Sequence, residues 1–173
     1  MEYHDAYSES LEADFRELES ALLSDTVKIL APSEPIKCSA DTTVHAAIVQ
    51  MAEKRRASVV IVDSGGQLRG IFTERDLLRR VAVPGRDPKT TQLGEVMTPE
   101  PEALGPDTLI AYAINRLHNA RYRTIPLIDA QGRPIGVMTV NDIVQWLAEL
   151  FPEAILNAPP GGGLKRPHDV DAG

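Results

Sequence analysis

The sequence has a single cysteine, Cys38, among 173 residues, and its four histidines show no metal-ligand spacing. One cysteine excludes an intrachain disulfide and is typical of a reducing compartment. Cys38 has no second cysteine at CxxC spacing and no evident general base, so it is not predicted to be a nucleophile. Paired carboxylates, a Ser-His-Asp set and a Walker loop are also lacking. We therefore expect a protein that is not an enzyme, with no metal site and no required cofactor.

The sequence also lacks a long apolar run and a basic surplus. No apolar stretch approaches the length that spans a bilayer, and the N-terminus is acidic, unlike a signal or transit peptide. Eight acids and one base in residues 1–25 account for the whole net charge of −7, so the remaining chain is neutral. A nucleic-acid surface requires a basic excess. These absences favour a cytoplasmic protein with no nucleic-acid or membrane partner.

The sequence does contain one segment twice. Residues 41–82 align without a gap on residues 107–148, at an offset of 66 positions, with eleven identities in forty-two positions. About a third of the differences exchange one apolar residue for another, as between Val62 and Ile128. A repeat of this kind indicates two copies of one structural unit.

Each copy has the pattern of a β-α-β-β-α unit, which predicts an α/β (α+β) fold built from two such units. Asp41 and Asp107, with the threonines that follow them, are candidates for the N-cap of the first helix in each copy. The continuous apolar runs Val59–Val62 and Ile125–Ile128 are typical of buried strands.

The segments outside the repeats differ in character from them. The predicted organisation is an acidic N-terminal helix in residues 1–25, a first repeat in 26–83, a linker in 84–93, a second repeat in 94–151, and a disordered tail in 152–173 that is rich in Pro and Gly. The helix carries Tyr7, Leu11, Phe15, Leu18 and Leu22 at helical spacing. This apolar stripe either packs on the protein's own body or docks on a second copy or a partner.

Near the end of each copy stands the pattern Gly-x-x-Thr-x-x-Asp, at Gly70–Asp76 and Gly136–Asp142. In each, a strand ends and a threonine opens a helix, whose free N–H groups attract anions such as phosphate. A carboxylate one turn along is suited to accepting two hydrogen bonds from the vicinal hydroxyls of a ribose. The alternative is that threonine and aspartate only cap the helix. The occurrence of the set at the same place in both copies favours a ligand site.

These motifs, in this order, resemble a tandem pair of CBS domains (cystathionine-β-synthase domains), a Bateman module, across about residues 26–150. Val96-Met97-Thr98 resembles the segment that precedes a CBS repeat, and Arg123–Asp129 resembles the start of its second strand. The resemblance implies two units packed face to face about a pseudo-two-fold axis, with two clefts between them. It also implies that the clefts bind adenosine ligands: AMP, ADP or ATP above all, or S-adenosylmethionine or an NAD-type molecule.

By position, the resemblance implies one set of contact residues for each repeat. These are Lys37, Ala57, Ser58, Thr73, Arg75 and Asp76 for repeat 1, and Ala103, Arg123, Thr124, Pro126, Thr139 and Asp142 for repeat 2. The copies differ, since Arg123 corresponds to the uncharged Ala57 and Arg75 corresponds to Asn141. The two clefts are therefore expected to differ in affinity or in the number of phosphates they accept. Arg79 and Arg80 are interpreted as a solvated face rather than as phosphate contacts.

Two functions remain as hypotheses. The first is a stand-alone, non-catalytic regulatory module that binds an adenine nucleotide and signals to an unidentified client protein by conformational or oligomeric change. The second is a structural dimerisation or partner-binding module whose ligand sites are degenerate. The resemblance further implies a homodimer that forms through the helices of the CBS repeats.

Overall fold

The computed structural model describes the backbone of residues 3–151 and the side chains of residues 12–151, so the tail predicted for residues 152–173 lies outside the described residues. The helices are α1 (Tyr3–Ser24), α2 (Val44–Lys54), α3 (Glu74–Asp76), α4 (Leu93–Val96), α5 (Ile110–Asn119) and α6 (Val140–Leu150). The strands are β1 (Lys37–Cys38), β2 (Ser58–Val62), β3 (Leu68–Thr73), β4 (Thr98–Pro99), β5 (Thr124–Ile128) and β6 (Pro134–Thr139). A 3-10 helix covers Val27–Leu30, and α3 continues as a π-helix over Leu77–Ala82.

The first helix of each repeat begins later than the sequence predicts. The Thr43 hydroxyl accepts a hydrogen bond from the Ala46 N–H at 3.3 Å and thereby caps α2. Asp41 lies instead in a turn that the hydrogen bond from Thr42 N to Ser39 O closes at 3.2 Å. The N-cap predicted at Asp41, and its counterpart in the second copy, are therefore wrong by two residues.

The two repeats contain equivalent β-hairpins. Strands β2 and β3 pair antiparallel with Ser58 opposite Thr73, and β5 and β6 pair antiparallel with Thr124 opposite Thr139. The first hairpin belongs to a four-stranded sheet in the order β1-β2-β3-β4, in which β1 runs parallel to β2. The second hairpin is extended by a parallel bridge from Leu104, the counterpart of β1. The predicted α/β fold of two β-α-β-β-α units about a pseudo-two-fold axis is confirmed.

Each sheet is completed by the segment that precedes the other repeat. Strand β4 lies in the segment before repeat 2, yet it pairs with β3 of repeat 1. Ser33 lies before β1 of repeat 1, yet its carbonyl accepts a hydrogen bond from Val137 N of repeat 2 at 3.0 Å. We call residues 26–33 and 92–99 the exchanged arms. The boundaries 26–83 and 94–151 stay a prediction along the chain, whereas in space the arms join the opposite repeats.

The apolar core consists of two clusters, one in each repeat. In repeat 1, Phe72 and Ile61 are fully buried together with Leu93 from the second exchanged arm. In repeat 2, Ile125 is buried together with Val27 from the first exchanged arm. Burial of these arm residues ties the repeats into one fold, because neither core is complete without a residue from the other side.

Helix α1 packs on repeat 2. Its Ala21 is buried in the repeat 2 core, and Leu18 and Leu22 pack against the same cluster. The C-terminal half of the predicted stripe therefore packs on the protein's own body, whereas the Phe15 side chain is 68% exposed. The side chains of Tyr7 and Leu11 lie outside the described residues.

The two repeated glycines permit the arms to cross the strands. A Cβ built on Gly70 would lie 2.3 Å from Met97 Sδ and 3.3 Å from the Thr98 carbonyl oxygen. A Cβ built on Gly136 would lie 3.1 Å from Cβ of Pro32. The glycine in the repeated motif thus allows close approach between a strand and an exchanged arm, which is a packing role.

Candidate functional site

A cleft of about 500 Å³ opens between the repeats, where the end of β3 comes near the start of β5. Repeat 1 contributes α3 and the π-helix, repeat 2 contributes the segment before β5, and the stretch after β4 closes the remaining side. Its lining consists of Ala57, Ile71, Thr73, Glu74, Arg75, Asp76, Leu78, Arg79, Arg80, Thr98, Pro101, Glu102, Arg121, Tyr122, Arg123, Thr124 and Pro126. The cleft therefore combines apolar side chains with several charged groups.

Thr73 and Asp76 cap the helix at the edge of this cleft. The N–H and the hydroxyl of Thr73 donate to Oδ2 of Asp76 at 3.0 Å and 2.8 Å. The Asp76 N–H in turn donates to Thr73 Oγ1 at 3.3 Å. This reciprocal arrangement is the capping geometry that the sequence offered as the alternative to a ligand site.

The second carboxylate oxygen of Asp76 is also engaged. Its Oδ1 lies 3.3 Å from Arg80 Nε and 3.5 Å from the Thr98 hydroxyl. A carboxylate offers about four lone-pair sites, so these contacts and those of Thr73 occupy all of them. A ribose hydroxyl that binds Asp76 must therefore replace or share a contact, and the long one to Thr98 is the weakest.

The N–H groups at the start of α3 are mostly used within the chain. Glu74 N donates to the Ala57 carbonyl at 3.1 Å, and Asp76 N is bonded to Thr73. Within the described part of the chain, only Arg75 among the three residues of α3 has an N–H without such a bond. Within the described residues, the start of α3 therefore offers an anion the backbone N–H of Arg75 alone.

In repeat 2, Thr139 and Asp142 cap α6 in the same way, but Asp142 has no arginine beside it in the position of Arg80. Thr139 N and Oγ1 donate to Oδ2 of Asp142 at 2.5 Å and 2.9 Å. Trp146 stands where repeat 1 has Arg80, and its Nε1 donates to Oδ2 of Asp25 at 3.3 Å. Among the side chains of residues 12–151 and the backbone of residues 3–151, no hydrogen bond or ion pair engages Oδ1 of Asp142. This oxygen is thus more available to a ribose than its counterpart on Asp76.

One acidic residue of the cleft is neutralised by an ion pair. Arg116 of α5 donates to both carboxylate oxygens of Glu102, with Nη2 at 2.7 Å from Oε2. These hydrogen bonds hold the pKa of the Glu102 carboxyl below its usual range and raise the pKa of Arg116. Glu102 therefore does not offset the positive charges elsewhere in the cleft.

The structure brings together residues that the sequence assigned to two separate sets. Seven of the twelve predicted contact residues line the cleft: Ala57, Thr73, Arg75, Asp76, Arg123, Thr124 and Pro126. The other five lie elsewhere: Lys37, Ser58, Ala103, Thr139 and Asp142. Nucleotide contact by any of the twelve stays a prediction.

Sequence reasoning missed several residues of the cleft. Arg79 and Arg80 line it, although they were interpreted as a solvated face. Arg121 and Tyr122 were not considered, although the run Arg-Tyr-Arg directly before β5 is a signal of the kind that marks an anion or base contact. Thr98 was also missed as a contact because its approach depends on the exchanged arm.

Two further features bear on the function. Among the described residues, no group of three or more His, Cys, Asp and Glu side chains is placed to hold a metal ion. Within the same part of the chain, no helix combines the length and the apolar character needed to cross a membrane.

Comparison with known proteins supports the assignment of the fold. The family model of the CBS domain matches residues 28–83 and 93–149. The chain is 34% identical over 154 residues to the CBS domain-containing protein CBSX3, mitochondrial, of Arabidopsis thaliana, covering 84% of this chain and 74% of that protein. Seven other curated relatives are much longer, and the chain matches 18–32% of their lengths.

Two solved structures show the same fold with ligands. One is the CBS domain pair of protein MJ0100 in complex with 5′-methylthioadenosine and S-adenosyl-L-methionine, with a TM-score of 0.64 at 22% identity, covering 72% of this chain and 96% of that one. The other is CBSX2 in complex with AMP, with a TM-score of 0.60 at 23% identity, covering 72% and 97%. The two matched segments, the relative and the shared fold lead to one conclusion: the chain belongs to the CBS-domain family, as a tandem pair of CBS domains.

Proposed function

We propose that this chain is a non-catalytic regulatory module that binds an adenine nucleotide (AMP, ADP or ATP) between its two repeats. The observation that carries the proposal is the cleft of about 500 Å³ in which Thr73 and Asp76 meet the start of β5 and several arginines. Its volume falls in the range typical of small-molecule sites. Ribose, base and phosphate each find a suitable group there.

Binding of the adenosine portion of the nucleotide is supported by the residues that line the cleft and by the ligands of similar solved structures. Both ligand-bound CBS pairs hold molecules that contain adenosine. In this cleft, Tyr122 offers an aromatic face to a base, and Ile71 and Pro126 offer apolar surface. The carboxylate of Asp76 is the candidate partner of the ribose hydroxyls, after displacement of the Thr98 contact.

A second site is proposed at the pseudo-symmetric position of repeat 2. Thr139 and Asp142 stand there as Thr73 and Asp76 stand in repeat 1. Because Oδ1 of Asp142 has no partner in the described part of the chain, this carboxylate would bind a ribose without giving up a contact seen there. The two sites are expected to differ in affinity for this reason.

Signalling would follow from the position of the cleft. A ligand that contacts both repeats favours the arrangement in which they lie together, and a ligand changes an equilibrium only by its differential affinity for the two arrangements. We propose that a second copy of the chain and an unidentified client protein respond to this change in arrangement. Exposed apolar side chains on the outer faces of α5 and α6, such as Tyr112 and Val144, support a homodimer formed through the helices. The cytoplasm remains the proposed compartment.

The second candidate function is a structural or partner-binding module with degenerate sites. It is favoured by one observation, namely that the contacts of Asp76 already satisfy its carboxylate within the chain. Under this hypothesis the cleft is held by its own ion pairs and no nucleotide enters.

Thermal melting of the full chain separates the two functions. A ligand of the native state raises the melting temperature, by the equivalent of about 2.7 kcal/mol at a concentration of 100 Kd. We expect AMP, ADP or ATP to do so, GTP to do so less, and Asp142→Asn to reduce the effect. The absence of a shift with every adenine nucleotide would support the structural module instead.

A further inference from the structure

Four arginines of the cleft have no acidic partner among the described residues. Arg75, Arg79, Arg121 and Arg123 all line the cleft and are all exposed. Among the side chains of residues 12–151, the ion pairs involve five other arginines. Of the three acidic residues in the cleft, Asp76 is paired with Arg80 and Glu102 with Arg116, which leaves Glu74 alone to offset the four. The cleft therefore carries an excess of positive charge, although the chain beyond residue 25 is neutral.

These arginines come from both sides of the cleft. Arg75 and Arg79 belong to the helical segment after β3 of repeat 1, and Arg121 and Arg123 belong to the segment before β5 of repeat 2. Like charges that line one cleft repel each other, and the repulsion is relieved by an anion that lies between them. An anion of sufficient length would contact both pairs at once.

The arrangement of donors favours guanidinium groups as the phosphate contacts. Two of the three N–H groups of α3 are already bonded, to the Ala57 carbonyl and to Thr73. Arginine binds phosphate through two parallel N–H donors, and such charge-assisted hydrogen bonds are stronger than neutral ones. The four guanidinium groups thus offer donor pairs for more than one phosphate.

We propose that this arginine quartet selects adenine nucleotides with two or three phosphates over AMP, and that the polyphosphate bridges the two repeats. The inference rests on the proposed function and specifies its ligand class. One phosphate neutralises less of the excess charge than two or three phosphates do. S-adenosylmethionine carries a positive sulfonium in place of phosphate, so the same charges disfavour it.

Calorimetric titration of the full chain with ATP, ADP, AMP and S-adenosylmethionine tests the proposal, in the absence of divalent cations that would mask the phosphates. We expect ATP to bind at least about tenfold more tightly than AMP, the value of one additional charge-assisted contact. The preference should shrink as salt is raised, because exposed charges are screened. Equal or tighter binding of AMP overturns the selection and leaves the proposed function intact. Lack of binding by all four ligands refutes both.

A titration with GTP separates the contribution of the base to the affinity from that of the phosphates. If GTP binds as tightly as ATP, the arginine selection stands and the adenine part of the proposed function fails.

The double variant Arg79→Gln/Arg123→Gln removes one guanidinium from each side and should bring the ratio of ATP to AMP affinity close to one. Arg133→Gln is the matched control, since Arg133 is exposed and lies outside the cleft. A double variant that melts normally and keeps the ATP preference contradicts the proposal.

Discussion

Arg80 Nε lies 3.3 Å from Oδ1 of Asp76, and Asp76 precedes Arg80 by about one helical turn. The same guanidinium donates to the carbonyl of Val96 at 3.1 Å and to that of Met97. Arg80 therefore connects the acidic residue of the cleft to the exchanged arm that completes the sheet of repeat 1. In repeat 2 this connection is replaced by the hydrogen bond of Trp146.

Replacement of Arg80 by methionine should destabilise the fold by about 1–3 kcal/mol. The apolar stem is kept, but two carbonyls of the arm lose this donor, and Oδ1 of Asp76 keeps only the long contact to Thr98. Loss of such partners costs about this much. Urea denaturation followed by circular dichroism measures the change. Arg79→Met is the matched control, because Arg79 has no ion pair within the described residues. Equal loss in both variants would show that the arm contacts contribute nothing.

Gly136→Ala should cost about 1–3 kcal/mol, the range for a side chain forced into a packed space. The new Cβ meets the ring of Pro32 at 3.1 Å, and a proline ring cannot rotate away. Gly105→Ala is the control, since a Cβ there meets nothing within 4 Å, and surface changes of this kind stay within about 0.5 kcal/mol. Denaturation curves that coincide for the two variants would contradict the close approach of arm and strand.

At Gly70 the obstacle is a flexible side chain, which allows a test by double mutation. Gly70→Ala places Cβ 2.3 Å from Met97 Sδ. We expect Gly70→Ala/Met97→Ala to lose less stability than the sum of the single variants, with a coupling of about 0.5–3 kcal/mol, because removal of the thioether relieves the clash. Additive losses would place the strain of Gly70→Ala elsewhere, at the Thr98 carbonyl.

The repeat made the fold predictable, because an offset of 66 aligns each strand and helix of one copy with its counterpart. Ser58 and Thr124 begin equivalent strands, as their shared apolar runs predict. The exchange of arms was not predictable, since β4 has two residues and Ser33 makes one bridge, and such short pairings leave no periodicity. For the same reason the sequence placed the contact residues in one set per repeat, whereas the cleft combines both repeats.

The hydrogen bond from Trp146 Nε1 to Asp25 Oδ2 anchors the end of α1 to repeat 2. Trp146→Phe keeps most of the buried surface and removes this donor, so we expect a loss of about 1 kcal/mol. The double variant with Asp25→Ala should lose less than the sum, since the two residues share the bond. Asp25→Asn, which keeps an oxygen acceptor, serves as the control. Circular dichroism is the readout, because Trp146 is the sole tryptophan of the chain.

The ion pair between Glu102 and Arg116 predicts that the free energy of unfolding depends on pH in the acidic range. The hydrogen bonds from Arg116 lower the pKa of Glu102 in the folded chain, so in acid the unfolded chain takes up this proton before the folded chain does. The stabilisation is complete above the ordinary range of a glutamate, about pH 5.5 and higher, and is lost as the pH falls through the folded pKa. The free energy of unfolding, measured by urea denaturation at a series of pH values, should therefore fall more steeply in acid for the native chain than for Glu102→Gln. Arg116→Met should remove the same part of the slope, since it leaves Glu102 without its donor. Parallel profiles for the native chain and Glu102→Gln would show that the pair does not couple to folding.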